Sequence, residues 1–256
     1  NLPSSSATVI TAGKTGIGFT DTNVKVGSTA LDSLTTGTNN TAVGHNALTA
    51  TTTGTKNTAV GSLALDANTT GAENTAVGQQ SLTANTTANS NTAVGYYSLA
   101  TNTTGASNTA LGHSALDANT TASNNTAIGY DSLGANTTGA YNTAVGRNSL
   151  LLNTTGGYNV ALGGGALDSN VSGNYNVAVG FEALQENTGS SNTGIGYKAL
   201  EENTTGAENV AVGHEALTAN TTGGENTALG QSALVTNTTG SSNTAVGQDA
   251  LFTNNA

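Results

Sequence analysis

One pentapeptide, Asn-Thr-Ala-Val-Gly or a close variant, recurs along almost the whole chain at a fixed interval. With a diverged first copy at Asn23 it begins fourteen times, and each step is 17 residues except one of 16 residues, from Asn176 to Asn192. This interval is shorter than the about 34 residues of helical-pair repeats or the about 40 of propeller blades. We therefore predict an all-β, parallel β-solenoid (β-roll) of about fourteen 17-residue coils over residues 23–256. Residues 1–22 are predicted to form an N-terminal cap or a segment that joins subunits.

We number the positions of each coil from 1, at its first Asn, to 17. Position 1 is Asn, position 5 is Gly and position 9 is Leu in all fourteen copies. Glycine at positions 5 and 15 is predicted to turn the corners of the coil with positive φ. The asparagines at positions 1 and 12 are predicted to form ladders between coils that lie about 4.8 Å apart.

The three residues that follow each Asn predict a short strand, whose side chains alternate between two faces. We predict that positions 2 and 4 face inward together with the Leu of position 9, so that position 3 faces outward. Position 3 is Ala or Gly in thirteen of fourteen copies. Because a solvent-facing row would vary, we predict that partner chains pack against it, most simply in a homotrimer. The candidate inter-chain packing residues are Ala42, Ala59, Ala76, Ala93, Ala110, Ala127 and Ala144.

Composition excludes several function classes. With 5 Lys and Arg against 15 Asp and Glu, the net charge of −10 disfavours a nucleic-acid partner. There is no Cys for a disulfide or thiolate metal site, and no apolar run long enough to insert into a membrane. The three histidines, His45, His113 and His214, share position 6 but lie four and six coils apart, too far to bind one metal ion. We expect no cofactor, no metal site and no enzymatic activity.

Aromatic residues predict one surface feature. Tyr141, Tyr158 and Tyr175 share position 17 in three successive coils, so they are predicted to form an aromatic row on the surface. Such a row suits glycan binding. The regular Thr rows suggest ice binding as another function, although the adjacent Thr69 and Thr70 of one Asn-Thr-Thr-Gly segment would point to opposite sides of a strand.

The array Asn-Thr-Ala-Val-Gly, Ala-Leu, Asn-Thr-Thr-Gly resembles repeats of phage tail-fibre and bacterial surface fibre proteins, which are related to the heads of YadA-like trimeric autotransporter adhesins. Thr15-Gly16-Ile17-Gly18 resembles the segment that leads into those arrays. The resemblance implies a β-roll, self-association as a trimer or filament, and an extracellular, cell-surface or virion location. We therefore predict a structural or adhesive fibre protein, either a fibre shaft or a head-to-tail filament subunit. The alternatives are an ice-binding solenoid and a glycan-binding fibre segment.

Overall fold

The computed structural model describes residues 22–254, in which fourteen three-residue strands form one parallel sheet and no helix occurs. The strands follow each other in chain order across the sheet, which confirms the predicted β-solenoid, with about 13 turns. Of the predicted N-terminal segment, residues 1–21 lie outside the described residues. The strands are β1 (Val24–Val26), β2 (Thr41–Val43), β3 (Thr58–Val60), β4 (Thr75–Val77), β5 (Thr92–Val94), β6 (Thr109–Leu111), β7 (Thr126–Ile128), β8 (Thr143–Val145), β9 (Val160–Leu162), β10 (Val177–Val179), β11 (Thr193–Ile195), β12 (Val210–Val212), β13 (Thr227–Leu229) and β14 (Thr244–Val246).

The inward and outward faces of the strands are the reverse of the sequence prediction. The alanines of position 3 are buried inside the solenoid, whereas positions 2 and 4 are half-buried or exposed. Position 3 must be small because the Leu of the preceding coil packs onto it. A Cβ on Gly194, which occupies position 3 of its coil, would lie 3.1 Å from Leu184 Cγ.

This reversal corrects the predicted packing surface. The small residues hold the strand against the solenoid's own leucines, so they offer no surface to a partner chain and lend no support to a trimer. The residues to which the correction applies, each with no exposed surface, are Ala42, Ala59, Ala76, Ala93, Ala110, Ala127 and Ala144.

The core of each coil therefore consists of one leucine and two small residues. The Leu at position 9 is buried in coils 1 to 13, and its backbone is left-handed in all fourteen coils, with φ between 48° and 57°. A left-handed L-residue is disfavoured by roughly 1–2 kcal/mol, so hydrogen bonds between coils must hold it. Leu65, for example, donates its N–H to Ser81 O in the next coil at 3.0 Å. Positions 7 and 17 are also left-handed along the chain.

The glycines that recur at positions 5 and 15 are required for different reasons. Position 5 has φ between 122° and 144°, as predicted for a corner. Position 15 is not left-handed, which contradicts the sequence prediction, and alanine occupies it in two coils, as Ala88 and Ala122. Its small size is required by close approach instead, because a Cβ on Gly54 would lie 2.5 Å from Gly71 O in the next coil.

Two buried asparagine ladders run along the rod, as predicted. At position 12, Asn136 donates from Nδ2 to Asn119 Oδ1 at 3.0 Å and accepts at Oδ1 from Asn153 Nδ2 at 2.8 Å. At position 1, the side-chain oxygen accepts the backbone N–H of the next coil's Asn, as between Asn57 and Asn74 at 3.0 Å. Because buried amides are costly when unpaired, the ladders fix both the spacing and the register of the coils.

The single 16-residue step interrupts one ladder but leaves the sheet in register. Val177 still pairs with Thr193, so the missing residue is absorbed in the loop. In that loop Asn187 donates from Nδ2 to Gly189 O at 3.0 Å. The asparagines of other coils make the equivalent bond and also donate to the preceding Asn, as Asn136 does. Asn187 makes no such bond to Asn170, so the buried Oδ1 of Asn170 has no hydrogen-bond partner.

Candidate functional surfaces

The outward side chains of positions 2 and 4 form a continuous band, which we call the outer strip. Position 4 is Val, Ile or Leu in all fourteen coils, and position 2 is Thr in ten and Val in four. Eight of the position-4 side chains are 36–68% exposed. Thirteen steps of about 4.8 Å give a strip about 62 Å long, and a three-residue strand makes it about 10 Å wide. Its area is about 600 Å², of which the column of position 4 is aliphatic and the column of position 2 is mostly threonine.

The predicted aromatic row lies on the surface and its rings stack. The ring centroids of Tyr141 and Tyr158 are 5.0 Å apart and those of Tyr158 and Tyr175 are 5.2 Å apart, with interplanar angles of 7° and 16°. All three side chains are more than half exposed. Since each ring covers a face of its neighbour, only ring edges and the outer faces of the end rings remain for a ligand.

Two further aromatic rows at position 6 were missed from the sequence. Tyr96, His113 and Tyr130 stand in successive coils with ring centroids 5.2 Å apart at each step. A second row contains Phe181, Tyr197 and His214. The sequence signal for these rows is the 17-residue spacing of Tyr, His and Phe at position 6, which becomes visible when histidine is counted as an aromatic ring as well as a metal ligand.

Charged side chains at the edges are organised locally. The ammonium of Lys198 lies 2.7 Å from Glu201 and 3.2 Å from Glu182, and these contacts raise the pKa of Lys198. Burial raises the pKa values of Asp117 and Asp168, and nearby carboxylates raise them further.

Within residues 22–254, no group of three or more His, Asp or Glu side chains is placed to hold a metal ion. Across the same residues, no helix is long and apolar enough to cross a membrane. The expectation that the chain is not an enzyme stays a prediction.

No protein-family model, curated protein or solved structure matches this chain. The resemblance to tail-fibre and YadA-like repeats therefore stays a prediction, and the surfaces of the rod carry the functional argument.

Proposed function

We propose that this chain is a rod-shaped structural segment of an extracellular fibre, which associates with other copies of itself through the outer strip. The main support for this proposal is the continuous stack of fourteen strands, all in register. Buried side-chain ladders join successive coils of this stack. Such a stack gives a rod about 62 Å long. The extracellular fibre location is supported by the resemblance of the repeat to surface-fibre arrays.

The outer strip supports side-by-side association. No charged residue occupies position 2 or 4 in any coil, although the chain carries a net charge of −10. Two rods in contact along about 600 Å² each would bury about 1,200 Å², the lower limit for stable protein interfaces. Lateral contact is thus expected to be concentration-dependent, and it should strengthen with salt as the repulsion between rods is screened.

Sedimentation velocity over a range of protein and salt concentrations tests this proposal. We expect wild-type rods to associate, and Ile128→Asp in the middle of the outer strip to weaken that association. Thr138→Asp, an exposed residue of the same coil on another face, adds the same charge and serves as the control. Rods that stay monomeric at every concentration, or that respond equally to both variants, would refute a role for the strip.

Ice binding is a second candidate, because the outward orientation of positions 2 and 4 supplies an array that the sequence argument lacked. Threonine and aliphatic side chains alternate across the strip, with about 4.8 Å between coils and about 6.7 Å between columns. A regular array of methyl and hydroxyl groups can order water in an ice-like arrangement. The Asn-Thr-Thr-Gly threonines are not this array, since Thr69 Oγ1 donates to Thr86 O of the next coil at 3.0 Å.

A thermal-hysteresis assay separates the two candidates. If the strip binds ice, the wild-type rod shapes ice crystals and Thr126→Lys abolishes this effect, whereas Thr138→Lys does not. Absence of hysteresis in the wild type removes the ice-binding candidate and leaves the proposed rod unaffected.

A further inference from the structure

The coil that begins at Asn159 has no side chain at positions 6 and 7. Gly164 and Gly165 occupy positions 6 and 7, and in every other coil both positions carry a side chain. The gap forms a cavity of about 290 Å³ between the coils before and after it. We call this cavity, lined by Arg147, Asn148, Asp168, Phe181, Glu182 and Gln185 together with the two glycines, the glycine notch.

The backbone does not explain these glycines. Gly165 has φ of 68°, but position 7 is left-handed with a non-glycine residue in the other thirteen coils. A Cβ on Gly164 would lie 3.6 Å from Phe181 Cδ2, which is ordinary contact, and its backbone is not left-handed. A Cβ on Gly165 would lie 3.3 Å from Glu182 Cγ, a tight contact that a small shift of this flexible side chain relieves. The local conformation therefore accommodates side chains, and their absence opens the notch.

The notch leaves one aromatic face free. Phe181 stacks on Tyr197 with ring centroids 5.9 Å apart, but on the other side its neighbour in the row is Gly164 rather than a ring. Phe181 is 52% exposed and lines the notch. The middle ring of the Tyr141–Tyr158–Tyr175 row, by contrast, is covered on both faces.

Two acceptors in the notch lack partners. Asp168 Oδ1 and Asn148 Oδ1 are shielded from solvent and accept no hydrogen bond. Both residues line the notch, and because their terminal torsions are broad, rotation about them can present an oxygen to a donor in the cavity. Burial and the charge of Glu186 raise the pKa of Asp168, as expected for a carboxyl without a compensating donor.

Charges of both signs surround the notch, with carboxylates in excess. Within residues 22–254 no carboxylate forms an ion pair with Arg147, so its guanidinium is available to donate. Glu182 shares the ammonium of Lys198 with Glu201. An anionic ligand would gain Arg147 but face Asp168, and a cationic ligand would gain Asp168 but face Arg147.

We propose that the glycine notch binds a neutral pyranose sugar. Its C–H face stacks on the free face of Phe181, its hydroxyls donate to Asp168 and Asn148, and they accept from Arg147. A volume of about 290 Å³ lies at the lower end of ligand sites, which suits one sugar ring. This function goes beyond the proposed rod and does not depend on lateral association.

Saturation-transfer NMR and titration with methyl glycosides of glucose, galactose, mannose and N-acetylglucosamine test the proposal, with glucuronic acid as the acidic probe. Binding of at least one neutral glycoside is expected with Kd on the order of 1 mM, as for a ligand of this size. Gly164→Tyr fills the notch with a residue that position 6 carries in other coils, and Phe181→Ser uses another such residue. Each is expected to weaken binding at least tenfold.

Gln231→Tyr and Tyr130→Ser make matched substitutions at position 6 outside the notch and are expected to leave binding unchanged. Melting temperatures of all four variants verify folding. The proposal is overturned if no neutral glycoside binds, if only glucuronic acid binds, or if Gly164→Tyr binds as well as the wild type. Sedimentation of the same samples reports on rod association separately.

Discussion

The asparagine ladder at position 12 allows one interaction to be measured twice in the same chain. Asn136→Ala removes the hydrogen bonds from Nδ2 to Asn119 Oδ1 and Gly139 O, both 3.0 Å, and the bond that Oδ1 accepts from Asn153. Gly139 O keeps a bond from Asn125, so the only buried atom left without a partner is Asn119 Oδ1.

Asn170→Ala is the matched control, because Asn170 is equally buried at the same position. It too donates from Nδ2, to Asn153 Oδ1 at 2.9 Å and Gly173 O at 3.1 Å. Its own Oδ1, however, is already without a partner. The two substitutions therefore differ in one hydrogen bond lost and in one unpaired acceptor removed.

A net hydrogen bond contributes about 1 kcal/mol, and an unpaired buried acceptor costs about 1–3 kcal/mol. Asn136→Ala loses three bonds and leaves one acceptor unpaired, so it is expected to lower the free energy of unfolding by about 4–6 kcal/mol. Asn170→Ala loses two bonds and exchanges one unpaired acceptor for another, Asn153 Oδ1, so it is expected to lower it by about 2 kcal/mol. Urea denaturation followed by circular dichroism gives both values from the midpoints, provided the slopes agree. Equal losses in the two variants would refute the reasoning, because the side chains would then contribute by packing alone.

Three further predictions concern the core, the interrupted ladder and pH. Leu133→Ala should lower the free energy of unfolding by about 2–5 kcal/mol, and the 47%-exposed Leu152→Ala by no more than about 0.5 kcal/mol; similar urea midpoints for both would contradict the assigned core. A Thr inserted between Thr188 and Gly189 should let Asn187 reach Asn170 and raise the melting temperature, so an unchanged or lower value would argue against the ladder. Burial, and then the charge of Asp131, raise the pKa of Asp117 in the native chain. Above pH about 3.9 the native chain therefore holds more protons than the unfolded chain, so its stability falls as the pH rises through the native pKa. In calorimetry, the melting temperature of Asp117→Asn minus that of the wild type should therefore increase from pH 3 to pH 7. A difference that stays constant over this range would contradict the prediction.

The repeat was sufficient to predict the solenoid, its coil length and the asparagine ladders, because identical positions in stacked coils must contact each other. It was insufficient to predict which strand face is buried. The alternation of side chains along a strand places positions 2 and 4 on the same face, but it does not indicate whether that face is buried or exposed. The apolar residues at position 4 favoured the buried face, which is wrong. The buried face is decided by the leucine of position 9, which packs onto position 3, as Leu184 does onto Gly194. This contact depends on the left-handed backbone of the leucine. A left-handed leucine has no signature in sequence.

The functional surface was predictable only in part, for a related reason. A repeat indicates what each coil needs for stability, so a site for a ligand is found where a coil departs from it. Gly164 and Gly165 leave a gap in the rows of positions 6 and 7. At Gly164, whose backbone is not left-handed, glycine also loses about 0.5–1 kcal/mol relative to alanine through backbone entropy. A chain optimised only as a rod has no use for these departures. Binding at the glycine notch accounts for Gly164, because its missing side chain gives Phe181 a free face, and stability does not account for it.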